Sequence, residues 1–298
     1  MNYIILDLEW DSAYVKHIGG FMNQILQIGA VKLNENFDVV DVFDVVIKSS
    51  VSKRLTRRFV ELTGITKEEM LSGVEFSRAV KMYNDWCGED TVTMTWSNSD
   101  LYTIDENERH LLSNAVKFRI EKYLDLQKYI ENEMKLLGFE LKNQISLSDA
   151  AEKLGISIED MHLHNAKDDS LVCAALLKRY YNAQRFRDRI KDTSNPEFYA
   201  RLRFKAHTIS DINDKDIDKE FLKFSCDVCG KNAKQISKWK YHNRWFSAVF
   251  VCECGRKFSG RVFFKKTFDN IISKKRICEL KKVKEKKNDE VQSMPEKV

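Results

Sequence analysis

Ile4-Ile5-Leu6-Asp7-Leu8-Glu9 is a short apolar run that ends in acids. Read as a strand, it places Asp7 and Glu9 on one face and Ile4, Leu6 and Leu8 on the other, because successive side chains alternate. The two carboxylates then stand about 6.6 Å apart by strand rise alone. At that separation two anions repel by about 2.5 kcal/mol if the effective dielectric is about 20. A bound divalent cation reverses the sign, and carboxylate oxygens with waters are ligands that suit magnesium or manganese. Taken alone, the pair also fits a strand end whose two acids reach solvent.

Outward from this run, Ile25 to Leu33 and Val39 to Ile47 are further strand-like stretches, so the chain begins with a predicted antiparallel meander. Phe76, Ala79, Val80 and Tyr83 then recur at helical spacing, and Thr91 to Trp96 reads as another strand. Helical patterns follow at Tyr123 to Leu137, Ser148 to Leu154 and Asn165 to Tyr180. Strands first, then mixed helices and strands, predict an α/β fold with a mixed sheet flanked by helices.

Two later stretches carry acids. Trp96-Ser-Asn-Ser-Asp100-Leu101 puts an Asp at the start of a helix, where by itself it is most simply an N-cap. His164-Asn165-Ala166-Lys167-Asp168-Asp169 introduces the long helix, with Asn165 as its cap. From Asp169, steps of three and four give Val172, Cys173, Leu176 and Tyr180, so Asp169 faces the core, a costly place for an unpartnered charge. Asp168 begins a stripe nearer the flank. His164 precedes the helix, and a lone His there is more often structural than catalytic.

Together these residues resemble the three exonuclease motifs of the DnaQ-like DEDD superfamily in its histidine subtype, DEDDh: Asp7-x-Glu9, a middle Asp100, and His164-x-Ala166-x-x-Asp169. Ile25-Leu-Gln-Ile-Gly-Ala-Val-Lys-Leu33 and Leu62-Thr-Gly-Ile-Thr66, followed by Gly73 and Phe76, are similar to the same family. The resemblance covers residues 1–182 and implies an RNase H-like fold. It also implies that Asp7, Glu9, Asp100 and Asp169 hold two Mg²⁺ or Mn²⁺ ions and that His164 is the general base. Such ions sharpen the nucleophile and stabilise the leaving 3′-oxygen, and a histidine titrates near neutrality, as a base should. The tyrosine subtype would have Tyr where Asn165 stands, and His162 does not fit the motif frame. The Trp96-Ser-x-x-Asp100 form is closer to Eri-like and KapD-like exonucleases, some of which act on RNA, than to proofreading members, although Ser97 replaces their glycine. Trp10 either stacks on a terminal base or fills the core.

The 298 residues are 43% hydrophobic and 32% charged with only 2 Pro, which is the composition of one large or two smaller folded domains. No run approaches the roughly 18 apolar residues of a membrane helix, and no signal peptide is legible, so no membrane partner and a cytoplasmic location are expected. The formal charge of +5 conceals two halves: residues 1–182 carry 21 basic and 29 acidic side chains, residues 183–298 carry 29 and 16. A basic half is a candidate polyanion-binding surface.

Cys226-Asp-Val-Cys229-Gly230 and Cys252-Glu-Cys254-Gly255 make a CxxC and a CxC separated by 22 residues. Four thiolates suit one structural Zn²⁺, and glycine after each pair permits a tight knuckle. With strand-like Gln235 to Tyr241, Trp245 to Val251 and Lys257 to Phe264, the pattern predicts a zinc ribbon. The predicted layout is thus an exonuclease domain at 1–182, a charged helical linker at 183–220, the ribbon at 221–270 and a basic tail at 271–298, disordered at its end. Lys238, Trp239, Arg244, Trp245, Arg256 and Lys257, with Arg261-Val-Phe-Phe-Lys-Lys266, interleave cations and rings as a single-strand binder would. The same rings also serve as a small core with solvated lysines around it.

The expected activity is a metal-dependent 3′-to-5′ exonuclease on single-stranded nucleic acid, RNA favoured over DNA. A proofreading-type DNA exonuclease and a non-catalytic nucleic-acid-binding adaptor are the alternatives.

Overall fold

The computed structural model describes residues 2–112, 116–157 and 164–280. His162 and the basic run at 281–287 lie outside the described residues. The chain divides into two compact units, Met1–Arg203 and Phe204–Val298.

In the first unit β1 (Asn2–Val15), β2 (Gly20–Leu33) and β3 (Val39–Lys48) form the antiparallel meander. Short helices α1 (Arg57–Thr63) and α2 (Lys67–Ser72) lead through the two-residue β4 (Val74–Glu75) to α3 (Phe76–Cys87). Then come β5 (Thr91–Thr95), α4 (Ser99–Leu111), β6 (Lys122–Asp125), α5 (Leu126–Leu136), α6 (Leu147–Lys153) and α7 (Ala166–Tyr180). The unit closes with α8 (Ala183–Arg187), β7 (Lys191–Asp192) and α9 (Pro196–Arg203).

The strand order is β4-β3-β2-β1-β5-β6-β7, with β5 and β6 parallel to β1. Alternation in β1 separates two cores. Tyr3 and Ile5 pack with α5, α6 and α7 on one face, and Ile4, Leu6 and Leu8 pack with α3 and α4 on the other. Asp7 and Glu9 continue the first of these faces beyond the apolar part.

Two expectations change here. The helix read from Tyr123 begins at Leu126, because Tyr123 and Leu124 are buried in β6, where an apolar pair satisfies either period. The 183–220 segment is no linker: α8, β7 and α9 belong to the first unit, Phe186 is buried in its core, and residues from Phe204 onward belong to the second.

The second unit is built from β8 (His207–Thr208), β9 (Phe224–Ser225), β10 (Asn232–Gln235), β11 (Lys240–His242), β12 (Trp245–Val251), β13 (Lys257–Lys266) and β14 (Ile271–Cys278). Its sheet order is β14-β13-β12-β10-β9, with β11 on β12 and β8 on β13. The sheet thus runs past residue 270, and the first part of the expected tail is strand β14. Phe224, Phe246, Phe250, Phe258, Val262 and Phe264 form the core. No helix among the described residues is long and apolar enough to cross a membrane.

Candidate active site

Three elements, β1, α4 and α7, deliver the acids of the first unit to one place. Asp7 and Glu9 point the same way from β1, each half-buried. Immediately beyond them the β1–β2 register shifts between Glu9 and Trp10, a bulge of the sort that re-aims side chains beside functional sites. Asn107 on α4 fastens the partner strand there: its Oδ1 accepts from the Ile25 N–H at 3.2 Å, and its Nδ2 donates to the Asn23 carbonyl at 2.7 Å.

Asp169 arrives on the first turn of α7. Asn165 caps this helix, accepting from the N–H groups of Lys167 and Asp168 at 3.2 and 3.4 Å. The helix start rests on β2 at Gly29, which pairs with Asp7 in register. Ser170 Oγ donates to the Gly29 carbonyl at 3.3 Å, and Gln27 Oε1 accepts from the Ala166 N–H while its Nε2 donates to Asp44. Oxygens of Asp7, Glu9 and Asp169 consequently lie within 4.8 Å of one another.

Asp100 is not an N-cap. Asn98 occupies the cap position, and Asp100, one residue into α4, is 2% exposed. The backbone N–H groups of Asp100 itself and of Leu8 favour its charged form, and its carboxylate faces the other acids. The turn that puts it there has Ser97 at φ 78°, so the serine occupies the left-handed conformation that glycine adopts without cost. The Ser97 carbonyl accepts from Tyr123 Oη at 2.9 Å. Asp168 is buried on the flank, with Lys167 Nζ 3.6 Å from its carboxylate.

The electrostatics follow from crowding anions out of water. Burial, then the charges of Asp100, Asp169 and Glu9, push Asp7 well above the usual carboxylate range. Burial together with Asp169 and Asp100 pushes Glu9 up to about 8. Asp100 is pushed up to about 8, mainly by burial. Asp169 rises to about 6 through burial, with the His164 charge and backbone N–H pulling the other way. His164 itself is exposed at φ 66°, before the helix. Oδ1 of Asp100 and Oδ1 of Asp169 are buried with no hydrogen-bond donor among the described residues. Buried, orphaned carboxylate oxygens facing one another are the donor set that a hard divalent cation fits.

Residues that the sequence reading passed over support this geometry: Gln27, Asn107 and Asp11, whose carboxylate accepts from the Thr56 N–H at 2.6 Å and from Thr56 Oγ1 at 2.8 Å. Asp11 continues the period of two from Asp7 and Glu9, a signal that was present in the sequence. Thr63, Gly64 and Ile65 line a cleft of about 340 Å³ with Gln27, Asp44 and Asn165, which gives the Leu62–Thr66 stretch its place beside the start of α7. Trp10 is half-buried and packs on the β1–α3–α4 core.

In the second unit the four cysteines converge. Sγ of Cys226 and Cys254 are 3.7 Å apart and those of Cys229 and Cys252 3.3 Å. These separations are too long for disulfides, at about 2.0 Å, and near the roughly 3.8 Å edge of a tetrahedron with Zn–S about 2.3 Å. Gly230 and Gly255 take φ of 75° and 88° at the two knuckles. The backbone N–H groups of Cys229 and Val228 bring the Cys226 thiol down to about 7, favouring the thiolate a metal needs.

The cations and rings expected to bind nucleic acid are dispersed. Trp239 packs on the core, 5.9 Å from Phe250 between centroids, and Arg256 pairs with Asp227 at 3.1 Å. Lys238, Arg244 and Lys257 are exposed, and Trp245 is half-buried on the opposite side of β12 from the phenylalanines.

A family model described as Exonuclease, RNase T, matches residues 5–177. Among solved structures, the chain is similar to cell-death related nuclease 4 at 22% identity and TM-score 0.50, covering 60% of this chain and 62% of that one. It is also similar to the nuclease domain of 3′hExo, a DEDDh family member bound to rAMP, at 21% identity and TM-score 0.51, covering 60% of this chain and 90% of that one. These likenesses concern the fold. The chain thus spans about 62% of the length of cell-death related nuclease 4. No curated protein matches it.

Proposed function

This chain belongs to the RNase T exonuclease family, and from that premise we propose that it hydrolyses phosphodiester bonds from the 3′ end of single-stranded nucleic acid, RNA favoured over DNA. The observation that carries the reading is the convergence of Asp7, Glu9, Asp100 and Asp169, with raised proton affinities and two orphaned oxygens, at one sheet end. In this reading the four carboxylates hold two Mg²⁺ or Mn²⁺ ions. When bound, such ions neutralise charge on the reacting phosphate and favour a deprotonated water.

The chain's own residues supply position and proton transfer. Asn165, Gln27 and Gly29 fix the start of α7, and with it the carboxylate of Asp169. His164 stands outside the carboxylate cluster, exposed and electrostatically linked to Asp169. There it acts as the general base that takes the proton of the attacking water. In the second unit, Cys226, Cys229, Cys252 and Cys254 hold one structural Zn²⁺.

The test is incubation of the purified chain with 5′-labelled single-stranded RNA and DNA and Mn²⁺ or Mg²⁺. A ladder of shortened products that disappears in Asp7→Ala is the expected result, and the faster polymer identifies the substrate class. His164→Ala is expected to keep Mn²⁺ binding while losing turnover. Absence of a ladder on both polymers with both metals rejects the proposal.

A further inference from the structure

The sheet of the second unit has one face buried and one open. Phe246, Ala248, Phe250, Phe258, Val262 and Phe264 turn inward to the core, so the residues between them on β12 and β13 line the other side. Strand register arranges that side in rows. Lys240, Ser247, Arg261 and Arg276 stand abreast across β11, β12, β13 and β14. In the next row Trp245 lies beside Phe263, ring centroids 5.5 Å apart, and Phe263 pairs with Lys274. Lys265 and Ile272 form the third.

Arg261 and Arg276 are directly opposite on neighbouring strands, a pairing of like charges that destabilises a sheet. Both guanidinium groups lie over the Trp245 ring, at 5.5 and 3.9 Å from its centroid. Nε of Arg261 is buried without an acceptor among the described residues. Elsewhere in the unit Lys231, Arg256 and Lys266 meet Glu253, Asp227 and Asp216. Among the described residues Arg261, Lys265, Lys274 and Arg276 meet no carboxylate. A cleft of about 630 Å³ continues the face, lined by Arg244, Phe263, Lys265, Ile272 and Lys274. Residues 204–280 carry 17 basic and 9 acidic side chains, so the imbalance is a property of the unit and is concentrated here.

We propose that this open face binds single-stranded nucleic acid, with Arg261, Lys265, Lys274 and Arg276 meeting phosphates and Trp245 and Phe263 meeting bases. Unpaired cations in rows call for a polyanion, and rings set between them call for one whose bases have free faces. A duplex hides those faces, and an acidic protein surface makes no use of the rings as stacking partners. The choice of polymer rests on the exonuclease reading. The surface itself is read only from the second unit.

Binding is measured by fluorescence anisotropy on the full chain, with labelled oligouridylate, oligothymidylate and a duplex of about 20 nucleotides, in buffer without added Mg²⁺ or Mn²⁺ and without chelator, so that no strand is cut and the cysteine site stays loaded. Arg261→Glu with Arg276→Glu is expected to weaken single-strand binding at least about tenfold and to flatten the slope of log affinity against log salt by about 1.4, two contacts at about 0.7 each. Trp245→Ala is expected to weaken it about tenfold, with recovery in Trp245→Phe. The ratio between the two oligomers tells RNA from DNA. Unchanged affinity and slope in a double variant that keeps the wild-type Tm overturns the proposal, as does tighter binding of the duplex by wild type. Failure to hydrolyse any strand with Mn²⁺ would reject the exonuclease reading and leave these binding measurements standing.

Discussion

Gly29 on β2 and Ala166 at the start of α7 are in closer contact than any side chain would allow: a Cβ on Gly29 would lie 2.2 Å from the Ala166 carbonyl carbon and from the Lys167 amide nitrogen. Both are backbone atoms, so nothing local can swing aside. The same approach carries Asp169 to Asp7, because Gly29 is the register partner of Asp7. Gly29→Ala is therefore expected to displace α7, lowering stability by about 1–3 kcal/mol and lowering turnover by more than the folded fraction accounts for. Denaturant unfolding and exonuclease rates on the same preparation check it. Retained turnover at reduced stability would mean that the helix start does not set the position of Asp169.

Asp7 carries the opposite trade. Its charge is held against burial and three neighbouring acids, so without metal it opposes folding. Asp7→Asn keeps the shape and removes the repulsion. In metal-free buffer the variant is expected to melt higher than wild type, by about 1–2 kcal/mol at the effective dielectric of such sites. Addition of Mn²⁺ should raise the Tm of wild type and leave the variant nearly unchanged. Equal responses of the two proteins to Mn²⁺ would remove Asp7 from the ligand set.

Much of this is legible in the sequence. The acids of β1 announce their face through a period of two, and Asn165 is named as the cap of α7 by its place before Ala166. Trp245 to Val251 reads as a strand and is one. What escaped depends on distant partners. Asp100 looks like a cap from its neighbours alone, yet Asn98 takes that position and Asp100 is turned inward beside β1. Gln27 and Asn107 are ordinary polar residues until strand and helix place them against Ala166 and Ile25. The domain boundary was missed because α8 and α9 are short, charged helices whose few apolar residues, such as Phe186, dock on a core formed by residues far away in sequence.

Ser97 is held at φ 78° by the turn that aims Asp100. A non-glycine residue there costs about 1 kcal/mol or more. Against this, Ser97 Oγ accepts from the Ser99 N–H at 3.2 Å and lies 2.8 Å from Ser99 Oγ, an exposed contact at the low end of the about 0.5–1.5 kcal/mol that a hydrogen bond contributes. Ser97→Gly should stabilise the chain by about 0.5–1 kcal/mol with turnover intact. Calorimetry decides the sign, and a lower Tm would show that the hydroxyl outweighs the backbone strain.

Glu108 provides a pH signature away from the acidic cluster. Burial pushes it up to about 7, although the Phe118 N–H donates to its carboxylate at 2.6 Å. An unfolded glutamate titrates near about 4.3. Between these values the folded chain holds a proton that the unfolded chain has released, so this group's contribution to stability falls as pH rises through the window. Glu108→Gln keeps an acceptor for Phe118 and removes the titration. It is expected to match wild type near about pH 4 and to exceed it by about 1–3 kcal/mol near about pH 8. Parallel stability curves for the two proteins would rule out Glu108 as the source.

The cysteine cluster sets the last expectation. Each knuckle is a closed turn, with the Gly230 N–H donating to the Cys226 carbonyl at 3.0 Å and the Gly255 N–H to that of Cys252 at 2.9 Å. The knuckles join β9 to β10 and β12 to β13, so a metal between them ties strands that carry Phe224, Phe250 and Phe258 into the core. Such a small core cannot by itself offset the entropy of ordering the unit, and metal binding then becomes folding free energy. Elemental analysis is expected to give one zinc per chain. A strong chelator should abolish the near-ultraviolet dichroism of the second unit, where Trp239 and Trp245 reside, and leave the helical signal of the first unit in place. Full near-ultraviolet signal in a zinc-free chain would show that the phenylalanine core suffices, and that the four thiols hold no structural metal.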